Sequence, residues 1–369
     1  MKIAMIADSI YGNGIGITVF RLYRSLVQQG YKCDIICYQD LNKCPDIVQI
    51  IKRDGNSIYS IPSISKGPFS YIKNLRKIFR KNKYDVVHIH TSLLIFLAAF
   101  AAKKENIKCR IGHAHGAKFF NYPELIVKIL EPIGRMLNKK YCTGFVTCSQ
   151  VSALYTFGCE AVLIPNYTPK NEIMDISINT INEYKEKYTH NGTITFGYMG
   201  SLDGIKNVIF LPYVISELNK LGLDSELLIV GEGKMLQEIK QESSRLGCKD
   251  KVQFLGKRDD CRVIVQVFDY YISASTTEGM SLSMIEAQMS GKPCIVSALI
   301  PDYSDLGIKL FRKVEGFDPR QWATIIKDWI SNGYTAIDRE KAIKKIDNNG
   351  LGEDSIIKEL TAVYENCEK

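Results

Sequence analysis

The sequence predicts an α/β protein built from two doubly wound parallel-sheet domains. Short apolar runs alternate with amphipathic helical stretches along nearly the whole chain, the pattern of a parallel sheet covered on both faces. The alternation runs through twice, with Ile164-Pro165-Asn166 between the two series. A length of 369 residues also exceeds what a single hydrophobic core ordinarily fills.

In the first series, strands are expected at Lys2–Ala7, Lys32–Tyr38, Asp85–His90, Lys108–His113, Thr143–Thr147 and Ala161–Ile164. A helix is expected at Ile15–Gln29, and the apolar run Leu93–Ala102 reads as a core helix. That run is too short to span a bilayer. A polar, strand-poor stretch follows Asn166, and Asn191-Gly192 marks a turn. The second series places strands at Thr193–Met199, Glu226–Val230, Val252–Leu255, Tyr270–Ala274 and Cys294–Ser297. An amphipathic helix, Ser355–Asn366, ends the chain, with Ile356, Ile357, Leu360, Val363 and Tyr364 on its apolar face. The expected domains are therefore 1–165 and 193–354, with 166–192 as linker.

The composition, 46% hydrophobic and 24% charged, is that of an ordinary globular protein, neither disordered nor membrane-embedded. Eleven cysteines are scattered without a CxxC pair, so reduced thiols fit better than a disulfide or zinc framework. Cys109, His113 and His115 lack a suitably spaced fourth metal ligand. An apolar strand begins at Ile3 where a signal peptide would need its charged leader, so a cytoplasmic protein is expected. The net charge of +8 divides into +13 over residues 1–165 and −5 over the remainder. A basic first half suits an anionic surface. No nucleic-acid-binding motif accompanies it, so a membrane is the expected partner surface rather than RNA or DNA. Lys66–Lys83 concentrates seven cations around an apolar stripe of Ile72, Leu75 and Phe79, as an interfacial helix would; an ordinary solvated helix shows the same pattern. Phe119, Phe120 and Tyr122 would extend that surface.

The richest stretch is Ser275–Ser297, STTEGMSLSMIEAQMSGKPCIVS. Glu278 precedes a helix and Glu286 lies inside it; between them Gly279 supplies a turn and Ser281 an N-cap hydroxyl. Leu282, Ile285 and Met289 recur at helical spacing, and Gly291 closes the helix. A helix N-terminus attracts phosphate, and flanking carboxylates accept hydrogen bonds from hydroxyls. Phosphate flanked by hydroxyls describes a sugar nucleotide.

Other motifs sit at strand ends, where open α/β sheets bind ligands. Asn13-Gly14-Ile15-Gly16 opens the first helix, but its spacing does not fit the G-x-G-x-x-G dinucleotide fingerprint, which argues against a dehydrogenase. His88, His90, His113 and His115 close two strands of the first series. Gly200-Ser201 with Lys206, then Gly231, then Lys257-Arg258, close successive strands of the second.

The Ser275–Ser297 block resembles the signature of the retaining family-four glycosyltransferases, and the strand-end motifs extend that resemblance over most of the chain. The resemblance implies the GT-B fold, two Rossmann-like domains facing a cleft, with the last helix returning to the first domain. It implies a retaining hexosyltransferase that takes a nucleotide-sugar, more in keeping with UDP than GDP. The acceptor would be a hydroxyl of a lipid-linked or oligosaccharide glycan in capsule or exopolysaccharide synthesis, reached at the inner membrane face. No cofactor or metal is implied, since the nucleotide-sugar is a substrate. By position, Glu286 would hold the ribose, Glu278 the donor sugar and Lys206 the diphosphate, with amides near Ser281 and Leu282 on the phosphate. Gly14, Gly200, Gly231 and Gly279 would line the donor, and His115 would orient its sugar; His88 and His90 would be supporting residues. Ser201 stands where the family has arginine, with Lys257 or Arg258 as candidate replacements. That departure keeps a non-catalytic partner subunit in view, and an epimerase of the same fold is the other alternative.

Overall fold

The computed structural model describes residues 1–91, 94–116 and 124–368. They form two compact units, Met1–Asn166 with Glu353–Lys369, and Tyr167–Gly352. Phe119, Phe120 and Tyr122 lie outside the described residues.

The first unit contains β1 (Lys2–Ala7), α1 (Gly14–Gln28), β2 (Lys32–Cys37), α2 (Pro45–Arg53), β3 (Ile58–Ser60), α3 (Pro68–Asn82), β4 (Val86–Ile89) and α4 (Ile95–Lys104). It continues with β5 (Cys109–Ala114), α5 (Glu124–Tyr141), β6 (Gly144–Thr147), α6 (Gln150–Phe157) and β7 (Val162–Leu163). The second unit contains α7 (Asn171–Met174), α8 (Ile178–Tyr188), β8 (Ile194–Met199), α9 (Leu211–Lys220), β9 (Ser225–Val230), α10 (Leu236–Arg245) and β10 (Val252–Gly256). It continues with α11 (Cys261–Ile264), β11 (Tyr270–Ser273), α12 (Leu282–Met289), β12 (Cys294–Ser297), β13 (Phe311–Val314), α13 (Pro319–Ser331) and α14 (Arg339–Asn348). The chain then returns to the first unit as α15 (Glu353–Glu368).

Both sheets are wholly parallel and share one winding. The first runs β3-β2-β1-β4-β5-β6-β7 and the second β10-β9-β8-β11-β12-β13. The strand order reverses between β1 and β4, and again between β8 and β11. At such a switch point the connections leave in opposite directions and open a crevice at the strand C-termini. Continuous burial explains the unbroken apolar runs Ile3–Ala7 of β1 and Leu227–Val230 of β9, since helices cover both faces.

Each unit has its own core. Tyr71, Leu75 and Phe79 of α3 pack with the alanines of α4 and with Val87 and Ile89. In the second unit Trp322, Trp329, Phe196, Tyr270 and Ile229 share one cluster. The last helix buries Ile356, Ile357, Leu360 and Tyr364, four of the five residues expected there. Residues 166–192 are a correction. The stretch expected to be a linker carries α7 and α8, and Ile173 packs with Met280, Ile285 and Met289. Arg339 fastens it further by donating to the Ile173 and Ile176 carbonyls, at 3.1 and 2.7 Å. Its apolar residues are few but correctly spaced for one short helix face. Among the described residues, no helix is long and apolar enough to cross a membrane.

Candidate donor site of the second unit

Loops after β8 and β11, the two strands flanking the switch point, build the site. The loop after β8 is held from beneath. Tyr198 donates its hydroxyl to the Ser201 carbonyl (2.9 Å), and Leu202 exchanges backbone hydrogen bonds with Glu232 and Met235 at 2.9 and 3.0 Å. Gly231 has φ +141°, and a Cβ there would lie 1.8 Å from the Gly200 carbonyl oxygen. Glycine is thus required at 231 for two loops to pass, which gives this residue a structural reason independent of any ligand.

The two loops are tied together. Thr276 donates both its amide (2.8 Å) and its hydroxyl (3.1 Å) to the Ile205 carbonyl. One residue on, Lys206 Nζ forms an ion pair with Glu278. The predicted phosphate cation and the predicted sugar carboxylate therefore meet directly, with side chains 20% and 11% exposed. A partly desolvated pair is stronger than a surface one.

Helix α12 begins just beyond. Met284, Ile285, Ala287, Gln288 and Met289 are all buried, and Glu286 is carried into the interior with them. Ser281 occupies the N-cap position, yet its side chain makes no bond to the helix amides, against the expectation of a hydroxyl cap. Its hydroxyl instead joins Ser283 (2.9 Å), which pairs with the Tyr271 hydroxyl (2.8 Å). The first-turn amides, including that of Leu282, are left without a side-chain cap, the arrangement that accepts an anion. Gly279 lies in the loop before this turn, and Gly200 and Ser201 are exposed at the end of β8.

Arg258, a candidate to replace the missing arginine, is engaged by a carboxylate. It grips Asp260 through two bonds of 2.8 and 2.5 Å, and Asp260 also accepts the Tyr184 hydroxyl at 2.5 Å. Lys257, its neighbour, is exposed.

In the first unit Asn13 is the N-cap of α1, accepting from the Gly16 amide at 2.8 Å and donating to Ser9 at 2.7 Å. Gly14 follows as the first helical residue and is exposed. The histidines form a cluster. His88 Nε2 lies 3.2 Å from His113 Nδ1, and His90 Nδ1 lies 2.9 Å from His115 Nε2. Burial holds all four rings neutral: His88 is lowered to about 3 and His115 to about 4, and His90 and His113 well below the usual histidine range. Tyr364 of α15 reaches His88 Nδ1 at 2.7 Å. Sequence reasoning placed Tyr364 only on an apolar face, because nothing local signals a partner 276 residues away.

On α3, Phe69 is 87% exposed beside a run of cations. Arg76 and Arg80 are both committed to Glu105, at 2.6 and 2.7 Å, whereas Lys73, Lys77 and Lys81 are exposed. The buried stripe is Tyr71, Leu75 and Phe79; Ile72, expected in it, is only half-buried.

Family models decide the identity. Residues 12–158 match the model described as Glycosyltransferase Family 4, and residues 193–332 match that of Glycosyl transferases group 1. The chain belongs to the family-four, GT-B glycosyltransferases. It is a nucleotide-sugar glycosyltransferase. Relatives point the same way. The putative glycosyltransferase EpsF of Bacillus subtilis is 24% identical, over 88% of this chain and 86% of its own. The Escherichia coli UDP-Gal:alpha-D-GlcNAc-diphosphoundecaprenol alpha-1,3-galactosyltransferase is 28% identical, over 66% of this chain and 67% of its own. Among solved structures, Anabaena Alr3699/HepE in complex with UDP superimposes with a TM-score of 0.81 at 16% identity, covering 99% of this chain and 100% of that one.

Proposed function

We propose that the glycosyltransferase takes a UDP-hexose and transfers the sugar, with retained anomeric configuration, to a hydroxyl of a lipid-linked or oligosaccharide acceptor. The observation that carries this reading is the join at the second switch point. There Lys206, Glu278 and the uncapped start of α12 surround one place, with Glu286 inside the same helix. In this reading Lys206 leaves Glu278 for the diphosphate and, with the α12 amides, stabilises the charge that builds on the leaving phosphate. Glu278, released, accepts from sugar hydroxyls, and Glu286 accepts from the ribose. His115 contributes to turnover rather than to nucleotide affinity.

The donor nucleotide is supported by the UDP-Gal in the name of the E. coli relative and the UDP in the HepE complex. Retention is supported by the α-1,3 linkage named for the same relative, because UDP-Gal itself carries an α-linked sugar. The diphosphate is neutralised without a resident metal, by Lys206 and the helix dipole. UDP affinity should then survive a chelator. The basic first half and α3, with Phe69 as an apolar wedge between Lys66 and Lys73, bring the enzyme to an anionic membrane surface at the inner face.

The test incubates the purified chain with a panel of UDP- and GDP-hexoses and follows slow donor hydrolysis by NMR. The expected result is one UDP-hexose that releases sugar first as the α anomer. Release of the β anomer would overturn retention, and preference for GDP would overturn the nucleotide.

A further inference from the structure

The first unit carries its own concentration of chemistry, four histidines of which only His115 was given a part in turnover. Parallel pairing sets it up. β4 and β5 are neighbours with His88 opposite Ile111 and Ile89 opposite Gly112, which brings His90 beside His113. Residues two apart in a strand share a face, so His88 and His90, then His113 and His115, project together. The rings are close-packed: centroids lie 4.0 Å apart for His88–His90 and for His113–His115, and 4.9 Å for His90–His113.

Four neutral imidazoles cannot satisfy one another. Among the described residues, His90 Nε2, His113 Nε2 and His115 Nδ1 are buried without a hydrogen-bond partner. Three such atoms in one cluster are too many for an ordinary structural network, in which nearly every buried polar atom is paired. One ring nitrogen from each of His88, His90 and His113 also lies within 4.8 Å of the others.

We propose that His88, His90 and His113 form a binding site for a divalent transition-metal ion of the zinc class. Neutral imidazole is a common ligand of such ions, and an all-nitrogen set selects them over magnesium or calcium. Zn–N bonds of about 2.0–2.1 Å place tetrahedral ligand atoms about 3.3 Å apart. The 3.2 Å between His88 Nε2 and His113 Nδ1 already fits one edge of that tetrahedron. Two of the three ligands have an outer partner in place, and His113 Nε2 has none. A metal-bound histidine donates its second N–H to a fixed acceptor. His88 has the Tyr364 hydroxyl at 2.7 Å for its Nδ1, and His90 has His115 Nε2 at 2.9 Å for its Nδ1, which leaves His90 Nε2 for the ion. Binding through His90 Nε2 sets the tautomer of its neighbour: His90 Nδ1–H donates to His115 Nε2, so His115 presents N–H at Nδ1. The ion would thus pin β4, β5 and α15 together and fix one proton on His115. Three protein ligands leave a fourth position for water or an outside oxygen ligand.

The experiment uses tag-free full-length protein, stripped with a chelator and dialysed against limiting Zn²⁺, then against Co²⁺ as a spectroscopic probe. The expected result is one equivalent of Zn²⁺ by elemental analysis, with the intense visible bands of four-coordinate Co²⁺ at the same stoichiometry. His90→Gln and His113→Gln should each weaken binding at least tenfold. Tyr364→Phe should weaken it less, and His190→Gln, in the other unit, not at all. Zn²⁺ should raise the melting temperature of the wild type but not of His113→Gln. The wild-type Co²⁺ spectrum decides even where a variant fails to fold. Its absence at one equivalent would overturn the site, as would binding that survives both glutamine variants.

Discussion

The two units repeat one winding and fill its strand ends with opposite chemistry. At the first unit's switch region stand four neutral histidines, three buried and His115 half-buried. At the second stand an ion pair, a buried glutamate and a cluster of serine and threonine hydroxyls. Parallel sheets of the same order therefore fix where a ligand collects, not which one. The residues after each strand decide that: charge and free amides for a phosphate, uncharged nitrogen for something softer.

The difference should show most strongly in acid. The first unit keeps its histidines neutral, with folded values near 3 to 4 against an ordinary 6.5. Unfolded histidines take protons below about 6.5 and the folded ones refuse them. Stability is therefore intact above that pH and falls as pH drops toward 4. Each refused proton costs about 1.4 kcal/mol per pH unit. Both tryptophans, Trp322 and Trp329, lie in the second unit's core, so their fluorescence follows that unit alone. Denaturation at pH 7.5 and pH 5 should show circular dichroism running ahead of tryptophan fluorescence only at pH 5. Transitions that keep the same spacing at both pH values would mean that the histidines do not set the first unit's acid limit.

The second comparison lies inside the ion pair. Lys206→Ala removes a cation and also strands Glu278 beside the diphosphate, so UDP affinity should fall by about 2–3 kcal/mol. Glu278→Gln frees Lys206 instead. It should leave UDP affinity equal or tighter while turnover collapses. Calorimetry with UDP separates the two, and equal losses in both variants would refute a lysine that leaves one partner for another. Glu286→Ala should cost about 1–3 kcal/mol of UDP affinity through its lost hydroxyl partners. An unchanged affinity would remove the ribose from Glu286.

How far this was legible depends on how local the signal is. Strands with unbroken apolar runs, such as Ile3–Ala7, could be read to within a residue or two. β3 and β13 could not: Ile58–Ser60 has three residues at a sheet edge, and Phe311–Val314 alternates with Arg312 and Lys313. The helices α7 and α8 were hidden because their apolar residues are sparse among polar ones. In the site, the strand-end motifs and the family resemblance they carry named Lys206, Glu278 and the histidine pairs, since a motif travels with its strand. Their partnerships could not be read. The bond from Thr276 to Ile205, the Arg258–Asp260 grip and Tyr364 on His88 are set by tertiary packing.

A smaller effect distinguishes the surfaces. Arg76 and Arg80 are spent on Glu105, so reversing them would test the fold rather than the membrane. Lys73→Glu, Lys77→Glu and Lys81→Glu together should lower binding to vesicles containing anionic phospholipid by about 1 kcal/mol per residue or more, with UDP affinity untouched. Equal co-sedimentation of the triple variant and the wild type would reduce α3 to a solvated helix.

The smallest expected change concerns Ser201, the residue that departs from the family pattern. Its carbonyl is held by Tyr198 and its side chain is exposed, so no packing demands a serine there. Arg258 is held by Asp260. If the site works with Lys206 and the α12 amides alone, Ser201→Arg adds a second cation without displacing anything. UDP should then bind tighter by about 1 kcal/mol, a single charge-assisted bond at a partly exposed position. The gain should shrink with added salt, because exposed charges are screened, whereas the Lys206 contribution, being partly buried, should shrink less. Titrations at low and high salt read both quantities. A Ser201→Arg variant that binds UDP more weakly at both salts would show that the serine is needed where it stands, and that the phosphate lies closer to the end of β8 than the Lys206–Glu278 pair implies.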